Sequence, residues 1–287
     1  MSAQPDYRSI RLGAELRTWR TEHDRTLTEA TEGLRGWNAG RLSKVERGLM
    51  PVNANDLTAF LDHNGVAGQD REDLLDLVRE GPSRQWWLDH DFADTISPAF
   101  AEYLAMEADA SHMVEYFPSA FPGLLQTPDY AREMIEAGIG SLSEEQLEAA
   151  AEVRVLRQRR LTEPPVLEVE GYFGEVALLI AADQKVLADQ IRHAIKVAQY
   201  PNVTLSMVPL SAGRPGILNS GVTLLGFADE PGEENGFVFV EAVGGMLPRR
   251  SGRDVRRTRR TFDRLRRHAL SPDDTLTVLA DKLEEIT

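Results

Sequence analysis

Residues able to make or break bonds are thinly spread in this 287-residue chain. Its six histidines (His23, His63, His90, His112, His193, His268) never fall at a spacing that presents two imidazoles to one metal ion, and there is no cysteine. A phosphate-cradling glycine loop, a G-x-S-x-G elbow and a dinucleotide fingerprint are all absent. Acids occur in pairs, Glu168 with Glu170 and Asp89 with Asp91 around His90, but in so acidic a chain such pairs read as solvated. Glu175 reads as a helix-start residue. The expectation is no catalytic residue, no metal and no cofactor. What the chain does carry is cations at helical spacing, Arg41, Lys44 and Arg47 early on and ten arginines between Arg249 and His268. Their chemistry is recognition of anions.

The early cations need a frame, and the stretch from Thr26 to Gly48 predicts one. Thr26 and Glu29 form a capping box, in which side chain and backbone satisfy each other's free amides, so a helix is expected to start there. Leu27, Ala30 and Leu34 recur at helical spacing, and Gly33 with Gly36 permits a turn. Asn38 suits the N-cap of a second helix with Leu42 and Val45 as its buried seam and a stop at Gly48, ahead of Pro51. Ala39, Gly40, Arg41, Lys44 and Arg47 then face outward. Such a pair fits a helix-turn-helix whose second helix enters the major groove, and equally a surface hairpin with a solvated basic face. The flanks favour the first reading. Leu12, Leu16 and Trp19 make one apolar stripe and Leu57, Phe60 and Leu61 another, so four helices can bury one small core.

Leu12-Gly13-x-x-Leu16-Arg17 and Arg41-Leu-Ser-Lys-Val-Glu-Arg-Gly48-x-x-Pro51 resemble the N-terminal domain of XRE-family regulators, over roughly the first seventy residues. The resemblance implies that Asn38, Ala39, Gly40, Arg41 and Lys44 face base edges and that Arg47 meets a phosphate. Two departures stand out: Arg35 is inserted before Gly36-Trp37, and Thr31 stands where the family usually has alanine at a tight helix crossing. Ala39 and Gly40 offer no side-chain hydrogen bonds, so direct readout rests on Arg41 and Lys44.

Length allows two domains, expected at 1–80 and 83–287 with Gly81-Pro82-Ser83 between them. A net charge of -14 looks unsuited to DNA until it is located. Residues 8–48 hold nine Lys or Arg against six acids, net +3, and residues 249–268 hold ten Arg against two Asp, net +8. The remainder carries -25 and would repel DNA, so binding is expected to be moderate and steeply salt-dependent. No run of 18 apolar residues occurs, which sets the expectation of a cytoplasmic protein.

Beyond the boundary, Trp86 and Trp87 read as anchors on the second core rather than as a stacking site. A helix is expected from Ser97 to about Met113, a buried and largely non-helical stretch within Glu115–Arg132 in which Thr127-Pro128 caps the next helix, and a helix from Ser143 to about Leu161. Strands are expected at 166–172, 203–208, 222–227 and 237–243, with a helix from Lys185 to about Gln199. This predicts an all-α N-terminal helix-turn-helix domain followed by an α+β domain, a small mixed sheet covered by helices. The loop 211–221 reads as a long connection rather than a ligand loop. The arginine-rich helix near 255–269 buries Val255, Phe262, Leu265 and Ala269 and displays Arg253, Arg256, Arg257, Arg260 and Arg264. In so acidic a chain these favour a latch against an acidic face of the chain itself, a second subunit or a small acidic partner, with nucleic-acid phosphate as the alternative.

Glu107 with Ala110, Pro122-Gly-Leu-Leu-Gln-Thr-Pro-Asp-Tyr-Ala-Arg132, Arg154-x-x-Arg157-Gln158-x-x-Leu161, Pro201-Asn-Val-Thr204, Pro209–Gly213 and Ala269-Leu-Ser-Pro-Asp273 resemble the C-terminal domain of a group of XRE-type regulators from filamentous actinobacteria. These are described as antitoxin-like. The resemblance implies a regulatory role and a small protein encoded nearby, and it supplies no catalytic site. The expected function is a homodimeric regulator on a double-stranded operator. Its rival is an antitoxin-like protein that neutralises a small partner and regulates its own operon.

Overall fold

A computed structural model describes residues 6–79, 86–88, 92, 95–138, 142–180, 183–214, 219–228, 232, 235–242 and 245–287. Among them no helix is long and apolar enough to cross a membrane. The chain divides into two compact units, Met1–Trp86 with Leu104–Asp109, and Trp87–Tyr103 with Ala110–Thr287. The expected boundary at 80–83 lies outside the described residues, as do Asp89, His90, Asp91 and part of the 211–221 loop.

The N-terminal part is helical. Helix α1 (Tyr7–Glu22) is capped by Asp6, whose carboxylate accepts from Ser9 N at 2.7 Å, and α2 (Ala39–Val45) is capped by Asn38. Helix α3 (Ala54–Asn64) starts at Asn53 and stops at Gly65, and α4 (Gln69–Arg79) follows. The expected stripes are buried: Leu12, Leu16 and Trp19 of α1 meet Leu42, Val45, Leu57, Phe60 and Leu61 in one core. Each fully buried side chain of this size stabilises the unit by about 1.5–3 kcal/mol.

One expected helix is absent. The capping bonds form as predicted, Thr26 N to Glu29 Oε2 at 2.7 Å and Glu29 N to Thr26 Oγ1 at 3.2 Å, yet residues 27–33 are successive turns. After Ala30 N to Thr26 O the ladder shortens to i→i−3 bonds, as in Thr31 N to Thr28 O and Leu34 N to Thr31 O. Thr31 Oγ1 donates to the Leu27 and Thr28 carbonyls, competing for the acceptors an α-helix needs, and Gly33 and Gly36 turn the chain at φ 76° and 83°.

The second part is a mixed sheet of six strands, larger than the small sheet expected, in the order β3-β2-β1-β4-β5-β6. Helix α5 (Pro98–Asp109) ends four residues before the expected Met113, because β1 (His112–Phe117) begins there. The helices α6 (Pro128–Glu136) and α7 (Glu144–Arg157) precede β2 (Glu168–Gly174), and α8 (Gln184–Val197) precedes β3 (Val203–Val208). Then come β4 (Val222–Gly226), β5 (Phe237–Ala242), β6 (Gly245–Arg249), α9 (Gly252–Arg266) and α10 (Pro272–Ile286). Strand β1 pairs parallel with β2 (Val114↔Glu170) and antiparallel with β4 (Val114↔Leu224), so it is central.

Alternation along the strands serves two covers. Val114, Tyr116, Tyr172, Leu224 and Val238 pack with Val255, Phe262 and Leu265 of α9. On the opposite face Phe239 meets Tyr103 of α5 edge-on at 5.1 Å and Phe173 stacks on Phe121 at 4.7 Å. Trp87 is buried and Trp86 half-buried. At the β3 edge, Met207 N donates to Thr275 Oγ1 at 2.9 Å and Met207 O accepts from Leu270 N at 2.8 Å.

Candidate nucleic-acid interface

Helix α2 is braced from behind. A Cβ at Gly13 would lie 2.8 Å from the Glu46 carbonyl carbon and still closer to the Val45 oxygen, so only glycine lets α1 pass that close. Two turns on, Arg20 and Glu46 pair in a fork: Nε to Oε1 at 2.6 Å and Nη2 to Oε2 at 2.9 Å, with Arg20 Nη1 also donating to Arg25 O at 2.8 Å. Both side chains are largely buried, and the bond to Glu46 raises the pKa of Arg20 against the opposing effect of burial. Thr31, buried, has its hydroxyl satisfied within its own turn.

With the back fixed, the front can be read residue by residue. Asn38 is exposed, and its Oδ1 accepts from Arg41 N at 2.9 Å. Ala39 is half-buried and Gly40 exposed. Arg41, expected to address guanine, is turned back onto the protein. Its Nη1 donates to Gly36 O at 2.7 Å, its Nη2 to the Asp56 carboxylate, and its guanidinium lies over the Trp37 ring at 4.6 Å. Lys44 is exposed, and its ammonium makes no hydrogen bond or ion pair with a described residue. Arg47 is exposed, its Nε donating to Ser43 O at 3.0 Å. The sequence held a signal for the anchored arginine: Trp37 precedes it by four residues and Asp56 opens the next helix.

The cations of α9 divide differently. Arg259 donates to Asn235 O at 2.9 Å, and Arg266 forks onto Glu170 through Nε at 2.6 Å and Nη2 at 2.5 Å. Arg253, Arg257, Arg260, Arg264 and Arg267 are exposed, and none bonds through its side chain to a described residue. Their steps of four, three, four and three residues put all five on one face, a stripe about 21 Å long. Arg256, expected on the same surface, is half-buried. Ala269 lies just past the end of α9 and is half-buried.

A third polar group lies within the second unit. Arg157 is buried with Nη2 donating to the Tyr103 hydroxyl at 2.9 Å, and Arg154 Nη1 donates to Gln126 Oε1 at 2.5 Å. Burial, and then Arg157, push the Arg154 pKa down to about 10, so it remains a cation at neutral pH. Gln126 Nε2 donates to Phe121 O, Gln158 Nε2 to Gln126 O, and Gln190 Nε2 to Leu125 O. These bonds satisfy the buried backbone of residues 121–126, which has few partners of its own. Glu175 opens a single 3-10 turn, Glu175–Leu178, and its Oε2 accepts from Leu210 N at 2.7 Å. No group of three or more His, Asp or Glu suited to a metal occurs among the described residues.

No curated protein and no solved structure matches the chain. Residues 100–281 match the family model described as a domain of unknown function, DUF5753, and the chain belongs to that family.

Proposed function

We propose that the chain is a sequence-specific DNA-binding regulator of the XRE helix-turn-helix type, with successive turns over residues 27–33 in the place of the motif's first helix, cytoplasmic and homodimeric. Its second unit answers to a ligand or a partner. The observation that carries this reading is the two-sided character of α2: Leu42 and Val45 are fully buried and braced through Glu46, while Asn38, Gly40, Lys44 and Arg47 are exposed together. In this reading Lys44 meets a base edge, Arg47 a phosphate, and Arg41 sets the angle at which α2 is presented. Base contacts from one reader are few, so a two-fold operator and a pair of readers follow.

Protection of the chain's own upstream DNA, at low and moderate salt, tests the reading. A symmetric footprint lost in Lys44→Ala is expected, and an unchanged footprint in that variant removes the assignment. The exposed stripe on α9 favours a second reading, in which the chain neutralises a small acidic partner encoded nearby and represses its own operon. In that case Arg257→Glu with Arg260→Glu and Arg264→Glu abolishes co-purification of the partner and leaves the footprint of the free protein intact.

A further inference from the structure

Strand order changes direction at β1. From it the chain runs outward through β2 and β3 and then crosses back to β4 on the other side. In an open sheet such a reversal leaves a crevice beyond the carboxyl ends of the parallel strands, where the connections part. Here β1 ends at Phe117 and its antiparallel neighbour β4 begins at Val222. A cavity of about 640 Å³ opens at that point, lined among others by Phe117, Pro118, Ala120, Gly221, Glu241 and Met246. The volume falls within the range, about 300–1,000 Å³, of sites for small molecules.

Two details make it more than a gap between loops. Gly221 is where the Glu241 carboxylate and the Phe117 ring come closest to the backbone: a Cβ there would collide with both, at 2.5 Å from Glu241 Oε2 and 2.9 Å from Phe117 Cδ1, so glycine lets the two flank the cavity at this point. Among the described lining residues the Glu241 carboxylate is the one charged group, and it makes no hydrogen bond or ion pair with a described residue. The surrounding protein pushes its pKa up, and Arg154 behind it acts in the opposite direction, towards the ionised form. Of the other described lining residues, Ser119 and Ser220 carry hydroxyls and the rest are apolar or glycine.

We propose that this cavity binds a small organic cation, an ammonium group on Glu241 with a compact apolar body against Phe117, Pro118 and Met246. Glu241 is exposed at the cavity, where an ammonium offers it a charge-assisted hydrogen bond, a neutral donor offers a weaker one, and an anion would be repelled. The site gives the ligand response proposed above a location. It rests on that reading only for its effect on DNA, because occupancy is measured on the protein alone.

The test is calorimetric titration of the full chain with three probes of one shape, 2-phenylethylammonium, 2-phenylethanol and phenylacetate. The ammonium is expected to bind roughly ten-fold more tightly than the alcohol, the ratio that a charge-assisted hydrogen bond supplies, and phenylacetate more weakly still. Glu241→Gln removes the ammonium's advantage while thermal unfolding stays where it was. Met246→Trp, which occupies the cavity, weakens the ammonium and the alcohol alike. Equal affinities, absence of binding by the ammonium, or an advantage that survives Glu241→Gln overturns the site. A footprint indifferent to bound ammonium overturns its role in regulation and leaves the site standing.

Discussion

Helices α2 and α9 both carry cations on a solvent face over a buried apolar seam, and they use them in opposite ways. In α2 the arginine nearest the expected base-reading position is held by Asp56, the Gly36 carbonyl and the Trp37 ring, leaving Lys44 and Arg47 exposed. In α9 two arginines are tied to the sheet side, through Glu170 and Asn235, and five others stand together without an ion pair to a described residue. Local net charge, +3 against +8, therefore understates the contrast. What decides whether a cation can meet a partner is whether the fold already supplies it with an anion.

The comparison can be broken most severely at Gly13. Gly13→Leu forces α1 away from the Val45–Glu46 backbone and should lower unfolding free energy by about 3 kcal/mol, read by urea titration of tryptophan fluorescence. An unperturbed midpoint would mean that α2 does not depend on that approach. A finer cut separates anchored from free cations within α2. Arg41→Ala should cost about 1–2 kcal/mol by losing two hydrogen bonds and the ring contact, whereas Lys44→Ala should stay within about 0.5 kcal/mol. Lys44→Ala should instead weaken operator binding and, if it also meets a phosphate, reduce the slope of log K against log salt by about 1. Equal thermal stability of the two variants would erase the distinction.

The smallest effect separates the two kinds of arginine within α9. Burial raises the Glu170 pKa, but hydrogen bonds from Arg266 and Tyr172 outweigh it, and the net pKa is below the ordinary 4.5. A depressed carboxylate contributes stability that is complete above its unfolded value and is lost as pH falls through the folded one. Thermal unfolding measured from pH 6 to pH 3 should show this loss below about pH 4.5. Arg266→Ala should flatten that part of the curve and cost about 1 kcal/mol at pH 6, while Arg264→Ala should change neither.

The helical frame of the first unit was legible because its apolar residues recur at one period and its caps are strong. Asp6 was missed as a cap because only the stripe Leu12, Leu16 and Trp19 was read there, and it does not mark where the helix begins. Residues 26–36 misled because a capping box fixes how a helix begins, not whether the following threonines and glycines continue it. Four strands were visible from β-branched and apolar runs. Strand β1 was hidden because His112-Met-Val-Glu-Tyr-Phe117 is apolar on both sides, follows a helix of similar composition and is buried on both faces, so neither period shows. Strand β6 contains Gly245 and Pro248, which argue against a strand, and α10 announced itself only through Ser271-Pro272-Asp273-Asp274 at its start. The solvent face of α2 was legible at Gly40, Lys44 and Arg47, but that Arg41 is anchored depends on Asp56, fifteen positions away. The Glu241 cavity was not legible at all, since it is assembled from the ends of four strands whose order no local pattern fixes.

The bonds at Met207 have a consequence for assembly. An edge strand invites any passing extended segment to continue the sheet, and at β3 that invitation is withdrawn where both backbone groups of Met207 already serve Leu270 and Thr275. At the far side β6 is five residues long and contains a proline with no amide to offer. Recruitment by strand addition is therefore discouraged at both margins, and a second copy or a foreign chain is left to engage this domain through side chains on its helices. An interface of that kind is decided by charge and shape, can be released by a few substitutions, and does not commit the backbone to a shared sheet.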